Sequence, residues 1–488
     1  MRILIFDIDT LRSDHLGCYG YGRDTSPTID AVANEGVRFS NYYCPNAPCL
    51  PSRASFITGQ YGIHTGVVGH GGTSADLRLQ GESRHFTDDY SENGLFMQFR
   101  QAGMHTVSFS SFPERHAAWW FNAGLNECYN VGKRGDELAE EVTSSVLDWL
   151  KRNGDRDNWC LHIHYWDPHT PYRAPEDFGN PYQNQPLSND WIDEQVFEKH
   201  LLHVGPHGAN EIGMWTDKSD ARWPRHPGRI NNLAEMKTFV DNYDCGIRYT
   251  DDNIGQILDL MRKKGLYNDD LAIIITSDHG ENMGELGLYA EHATADEPTC
   301  HIPMIIKWPG AQKGKVAQGF HDNVDLLPTV RELLNTPLQG KHYFCDGVSF
   351  ARTLLNGDDC SKKNLVLTQC AHVCQRSARF DNYIYIRTIH GGGHLFPGEM
   401  LFDVVTDPYQ QNDLASQRPD LCAQGAKIIL DWTEKMLKSS YYPVDPLWTV
   451  MQEGGPEHFR GALEKYIERI KGTPREYGIP LLKEMYQK

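Results

Sequence analysis

Short apolar runs alternate along the chain with stretches in which apolar positions recur every three to four residues. Residues 3–6, 160–165, 271–276 and 303–308 read as strands buried on both faces, the habit of a parallel sheet. Helical patterns lie between them, one over about 136–151 and another over about 243–264, where Ile247, Ile254, Leu258 and Met261 share one side. Gly265 stops the second helix, and the chain then enters the strand before Ser277-Asp278-His279-Gly280. Residues 180–231 are rich in Pro, Gly, His and Trp without a period and read as a long excursion over the sheet edge. Beyond Gly357 the character changes: 364–369, 383–388 and Leu401-Phe402-Asp403-Val404 look like strands, followed by a helix near 420–438. The pattern predicts an α/β fold with a mostly parallel central sheet sandwiched by helices over 1–357. A smaller α+β subdomain with a small antiparallel sheet and helices is expected over 358–488. Ligands of such sheets gather at the carboxyl ends of the strands, where Asp7, Asp9, His169, Asp278 and His279 all fall.

The chain has 488 residues, enough for two or three packed units. Lys and Arg number 47 against 65 Asp and Glu, a balance of -18 that speaks against nucleic-acid binding through phosphate neutralisation and against a membrane-surface role. Hydrophobic residues make up 40%, as in a folded globular protein. No apolar run approaches the roughly 20 residues of a membrane span. The N-terminal Met1-Arg2-Ile3-Leu4-Ile5-Phe6-Asp7 runs straight into a strand and lacks the features of a signal peptide, so a soluble, cytoplasmic protein is expected. The twelve cysteines are scattered and form no paired CxxC motif, so a structural zinc site is not expected. Most read as small buried hydrophobes, with Cys49 the exception.

The segment Cys49-Leu50-Pro51-Ser52-Arg53-Ala54-Ser55-Phe56-Ile57-Thr58-Gly59 resembles the signature of the type I, formylglycine-dependent sulfatases of the alkaline phosphatase superfamily. The resemblance implies that a formylglycine-generating enzyme oxidises Cys49 to formylglycine and that Arg53 holds the resulting hydrate. An aldehyde hydrate offers two hydroxyls on one carbon: one attacks sulfur and displaces the alcohol, and the other, on losing its proton, expels sulfate. A serine would be left as a stable sulfate ester. The plainer alternative is a proline-induced turn with a buried thiol.

Further segments extend the resemblance. Asp9-Thr10-Leu11-Arg12-Ser13-Asp14-His15 looks like the family's first metal segment, Ser277-Asp278-His279-Gly280-Glu281 like its second, and Asp167-Pro168-His169-Thr170-Pro171-Tyr172 like its central element. Lys307-Trp308-Pro309-Gly310, Asp325-Leu326-Leu327-Pro328-Thr329 and Leu401-Phe402-Asp403 match later landmarks. Carboxylates at strand ends suit a hard divalent cation, calcium first, with magnesium or manganese as alternatives. By resemblance Asp9, Asp278 and formylglycine-49 are its ligands. His279 stands where sulfatases often carry Asn and where phosphonate monoester hydrolases carry His, which brings manganese or another transition ion into range. Thr10 replaces a second adjacent Asp. Asp7 either compensates as a ligand, being on the same strand face as Asp9, or acts as a hydrogen-bond acceptor behind the ligands.

Histidines are the expected proton carriers. His169 is the candidate sulfate contact, His116 stands at the family's Lys-x-His position, and His292 is a candidate to replace the second family lysine, where Ala290-Glu291-His292 stand instead. His116 and His292 have structural histidines as their alternatives. Trp119-Trp120-Phe121 could stack on a sugar or pack in the core. His394, in His390-Gly391-Gly392-Gly393-His394, could read a sugar or close a hairpin, and Arg376 and Arg379 could bind a substrate carboxylate or lie solvated on a strand. The expected function is sulfate-ester hydrolysis on a small sulfated saccharide. The rivals are a phosphonate monoester or phosphodiester hydrolase of the same superfamily and a non-catalytic sulfated-sugar-binding protein.

Overall fold

Residues 1–81, 88–188, 191–339 and 343–486 are described by a computed structural model. In chain order the strands of the first unit are β1 (Arg2–Ile8), β2 (Val37–Tyr43), β3 (Asn46–Ala47), β4 (His105–Phe109), β5 (Glu127–Tyr129), β6 (Trp159–Tyr165), β7 (Leu271–Thr276), β8 (Asn282–Met283), β9 (Tyr289–Glu291), β10 (Met304–Lys307) and β11 (Lys315–Asp322). Eight of them form one sheet in the order β11-β2-β10-β7-β1-β6-β4-β5. The central strand β1 is parallel to both neighbours, β6 and β7.

Successive side chains of a strand point to opposite faces, and β1 divides its apolar residues accordingly. Ile3 and Ile5 enter a core completed by the helices Cys49–Thr58, Leu95–Gln101 and Leu326–Leu334. Leu4, Phe6 and Ile8 enter another, completed by Pro27–Glu35, Ala139–Asn153 and Leu233–Lys263. Residues 3–6 are wholly buried, which at about 1.5–3 kcal/mol per large apolar side chain fixes the centre of the sandwich.

Two expectations are corrected. The strand at 303–308 forms, but β10 is antiparallel to β7 and β2. From the end of β7 the chain crosses the same edge through β8, β9 and a short helix at Glu297–Cys300, then re-enters the sheet where it left, so it must run back. The helix expected from 243 starts at Leu233, where the Asn232 side chain accepts the Glu235 N–H. Its buried polar residues Asp241, Asn242 and Asp244 hide the apolar period there.

A second sheet contains β12 (Asn364–Gln369), β13 (Cys374–Phe380), β14 (Tyr383–His390) and β15 (Glu399–Asp403), covered by the helix Pro419–Ser439. Its order is β15-β14-β13-β12-β3, so the edge strand comes from residues 46–47, immediately before the Cys49 helix. All twelve cysteines are free. No helix among the described residues is long and apolar enough to cross a membrane.

Candidate active site

Because β1 and β7 are parallel with Asp7 opposite Thr276, they deliver Asp9 and Asp278-His279 to the same end of the sheet. On the other side of β1, β6 places His162 and His164 on one face, 3.3 Å from Asp7 and 3.4 Å from Asp9. The helix Cys49–Thr58 is buried throughout and begins with Cys49 itself, whose position at a helix N-terminus suits developing negative charge. Cys49 Sγ lies 3.1 Å from His279 Nε2. Ser52 Oγ donates to the Asp278 carbonyl at 2.6 Å and accepts from Asn323 Nδ2 at 3.0 Å, tying the helix to the end of β7. The helix closes at Gly59, whose φ of 63° is the left-handed conformation that glycine reaches without strain.

One turn into the helix, Arg53 points its guanidinium among three carboxylates. It holds Asp7 through two bonds of 3.0 and 3.1 Å, donates to Asp9 at 3.1 Å, and makes a close contact with Asp278. It also donates to His164 Nε2 at 2.8 Å. Burial pushes the Asp9 carboxyl upward, but Arg53 and His169 outweigh it and hold Asp9 well below the usual range. Burial raises Asp278, with Arg53 opposing. Burial, then Asp9 and Asp278, raise the Cys49 thiol well above its usual value, so an unmodified cysteine stays protonated here.

Ligand-type atoms of Asp9, Cys49, Asp278 and His279 all lie within 4.8 Å of one another. Three buried carboxylates face one guanidinium, so the cluster accommodates a further cation. The Cys49 sulfur is one donor of this set. The carboxylate oxygens suit calcium, magnesium or manganese, and His279 adds one nitrogen.

Three of the candidate histidines border these donors. His292 stacks 3.9 Å from His279 and 5.5 Å from His169 between ring centres, and His169 Nε2 is 3.9 Å from Asp9. His116 packs on Phe112 and His70, and its Nε2 has no partner. Burial lowers His169 and His116 to about 3 and His292 well below its usual value, so all three are neutral imidazoles before an anion arrives.

The family model described as Sulfatase matches residues 3–336. The chain belongs to the sulfatase family. It is therefore an enzyme of the sulfuric ester hydrolase class. The choline-sulfatase of Rhizobium meliloti is 25% identical over 424 residues, covering 80% of this chain and 77% of its own. The phosphonate monoester hydrolase of Agrobacterium radiobacter superposes with a TM-score of 0.64 at 18% identity, over 90% of this chain and 95% of its own. A protein solved in complex with its substrate D-glucosamine-2-N,6-O-disulfate superposes with a TM-score of 0.66 at 18% identity, over 90% of this chain and 98% of its own.

In this sulfatase-family chain, four sequence candidates, Asp7, Arg376, Arg379 and His394, stand apart from the central cluster. Asp7 is engaged by Arg53 and His162 and is not among the four converging donors. Arg376 is committed to Asp445 by bonds of 2.8 and 3.1 Å, and Arg379 to Tyr43 and Glu297. His394 is buried against His203 and Phe396. Trp119 is exposed, whereas Phe121 packs in the core. Sequence reading missed His162 and His164, although two polar residues alternating within an otherwise apolar buried strand were a visible signal.

Proposed function

We propose that this protein removes sulfate from a small sulfated saccharide, using formylglycine made from Cys49 and a divalent cation held by Asp9, Asp278 and His279 beside it. The observation that carries this reading is the convergence of Cys49 with those three donors under Arg53. The formylglycine hydrate would supply paired hydroxyls on one carbon, one to take the sulfuryl group and one to release it. The cation, calcium in the first instance, would supply Lewis acidity toward the sulfate oxygens. Arg53 orients residue 49 by anchoring Asp7, Asp9 and Asp278 behind it. His169 and His292 each take up a proton as the arriving anion raises their basicity, and His169 Nε2 and His292 Nδ1 then donate to sulfate oxygens. His116, with its unpartnered Nε2, would take up a proton as the anion arrives and hand it to the leaving alcohol. The sulfated-saccharide substrate is supported by the fold shared with the protein solved with glucosamine disulfate.

Mass spectrometry of the Cys49 peptide from the native host, paired with sulfate release from a panel of sulfated saccharides, tests the reading. A loss of roughly 18 Da together with release supports it, and a thiol that persists in active host cells overturns it. Thr10 and His279 favour a second reading, hydrolysis of phosphonate monoesters. Comparing kcat/KM for the sulfate and phosphonate esters of one phenol decides between them.

A further inference from the structure

A second group of ligand-type side chains converges beside the first. His207 comes from the excursion across the sheet edge, Glu291 from the end of β9, and His372 from the loop between β12 and β13. Their ligand-type atoms lie within 4.8 Å of one another, and both histidines are 6% exposed. His207 Nε2 is 3.4 Å from one Glu291 oxygen and His372 Nε2 is 3.5 Å from the other.

These separations are long for charge-assisted hydrogen bonds, which close to about 2.7–2.9 Å. Two ligands of one tetrahedral ion with bonds of about 2.0–2.2 Å stand about 3.3–3.6 Å apart. The tautomer of His207 sharpens the point. Its Nδ1 donates to the Ile212 carbonyl at 2.9 Å, so in the neutral ring the Nε2 lone pair faces the carboxylate. That nitrogen is buried without a hydrogen-bond partner, as is His372 Nδ1. Two acceptors aimed at each other need either a proton or a metal ion between them, and the long separations favour the metal ion.

The supporting contacts hold the three segments in place. The His372 ring stacks flat on His458 at 4.0 Å, and its backbone N–H donates to the Gln369 side chain. Gln369 also donates to the His292 carbonyl at 2.7 Å, which fixes the chain next to Glu291.

We propose that His207, Glu291 and His372 form a second metal site, with two imidazoles and a carboxylate for a borderline transition ion such as zinc and a further position open to water or a substrate oxygen. His292 joins the two centres: its Nε2 is 3.0 Å from Glu291, and its ring lies against His279. Ala290-Glu291-His292 stand where the resemblance leads one to expect a lysine. The second ion therefore restores, on the anion's side of the site, the positive charge that the chain has lost there. This role rests on the sulfatase reading, whereas occupancy of the site does not.

The test uses the full chain with Cys49 converted, loaded with zinc, freed of excess and assayed for metal content, together with anomalous diffraction at the zinc edge. The wild type is expected to hold two equivalents, and His207→Ala and His372→Ala one each. Asp278→Asn is expected to keep the ion at the second site. An anomalous peak within about 2.0–2.2 Å of the His207, Glu291 and His372 ligand atoms is expected in wild-type crystals, so the proposal is decided even if a variant fails to fold. A zinc-saturated wild type without that peak, or a second equivalent that survives both histidine variants, overturns it. Two bound equivalents without sulfate release would leave the site standing and remove the sulfatase reading. Sulfate release with no ion between the three residues would do the reverse.

Discussion

Arg53 holds three acids together at the bottom of the site, so its removal acts on folding as well as chemistry. Arg53→Ala leaves Asp7, Asp9 and Asp278 facing one another in a buried setting, a change of the kind that costs about 3–5 kcal/mol. A large fall in unfolding midpoint and a loss of at least about a hundredfold in kcat are expected, and denaturant titration beside a steady-state assay checks both. Cys49→Ser tests the nucleophile separately: one turnover should leave the protein about 80 Da heavier, as a sulfate ester that intact-mass measurement detects. The Asp167 carboxyl accepts the Ala139 N–H through one oxygen and has no partner on the other. Burial pushes it up to about 7. An acid raised above its unfolded value of about 4 contributes stability that is full below that pH and is lost as pH rises through 7, with a slope of at most about 1.4 kcal/mol per unit. Asp251, also pushed up to about 7 by burial, adds to the same fall. Asp167→Asn should therefore flatten part of the decline in denaturation midpoint between about pH 4 and 7, and an unchanged slope would count against this assignment.

The Cys49 helix shows why the motif needs its serine as well as its cysteine and arginine. Ser52 bonds the backbone of Asp278, so the Cys49 helix and the end of β7 move as one body. Ser52→Ala leaves that carbonyl and Asn323 short of a partner, and a loss of about 1–3 kcal/mol is expected, with lower kcat and weaker metal affinity, measured by thermal melts at graded metal concentration. Elements of this kind were legible because local chemistry writes them: apolar runs mark the strands, and a short motif marks the helix. Asp9 and Asp278 were legible for the same reason, each following a buried strand directly. Contacts made only by tertiary proximity were not. His207 and His372 belong to segments without a period, Asp445 is the distant partner of Arg376, and nothing local distinguishes a two-residue strand such as β3. The direction of β10 was equally hidden, since a buried antiparallel strand has the same apolar composition as a parallel one.

At the scale of the whole molecule, metal and chain order both bear on stability. A cation that binds only the folded state stabilises it by about 2.7 kcal/mol at a hundred times its dissociation constant. A chelator should lower the melting temperature and abolish sulfate release, and calcium or manganese should restore both. The second sheet completes itself with residues 46–47, so a chain ending at Gly357 would leave β3 unpaired and expose the face that β12 to β15 cover. Residues 1–357 expressed alone are expected to be insoluble or to lack a cooperative unfolding transition. The same two-residue strand also imposes a timetable. Its partner β12 emerges from the ribosome roughly 300 residues after Cys49, an interval of about 15–60 s at ordinary rates of synthesis. During that interval the thiol, only 2% exposed in the finished fold, belongs to a segment whose sheet does not yet exist. On the proposed conversion of Cys49, newborn chains would offer it to the modifying enzyme for a limited time, and the arrival of the C-terminal strands would end it.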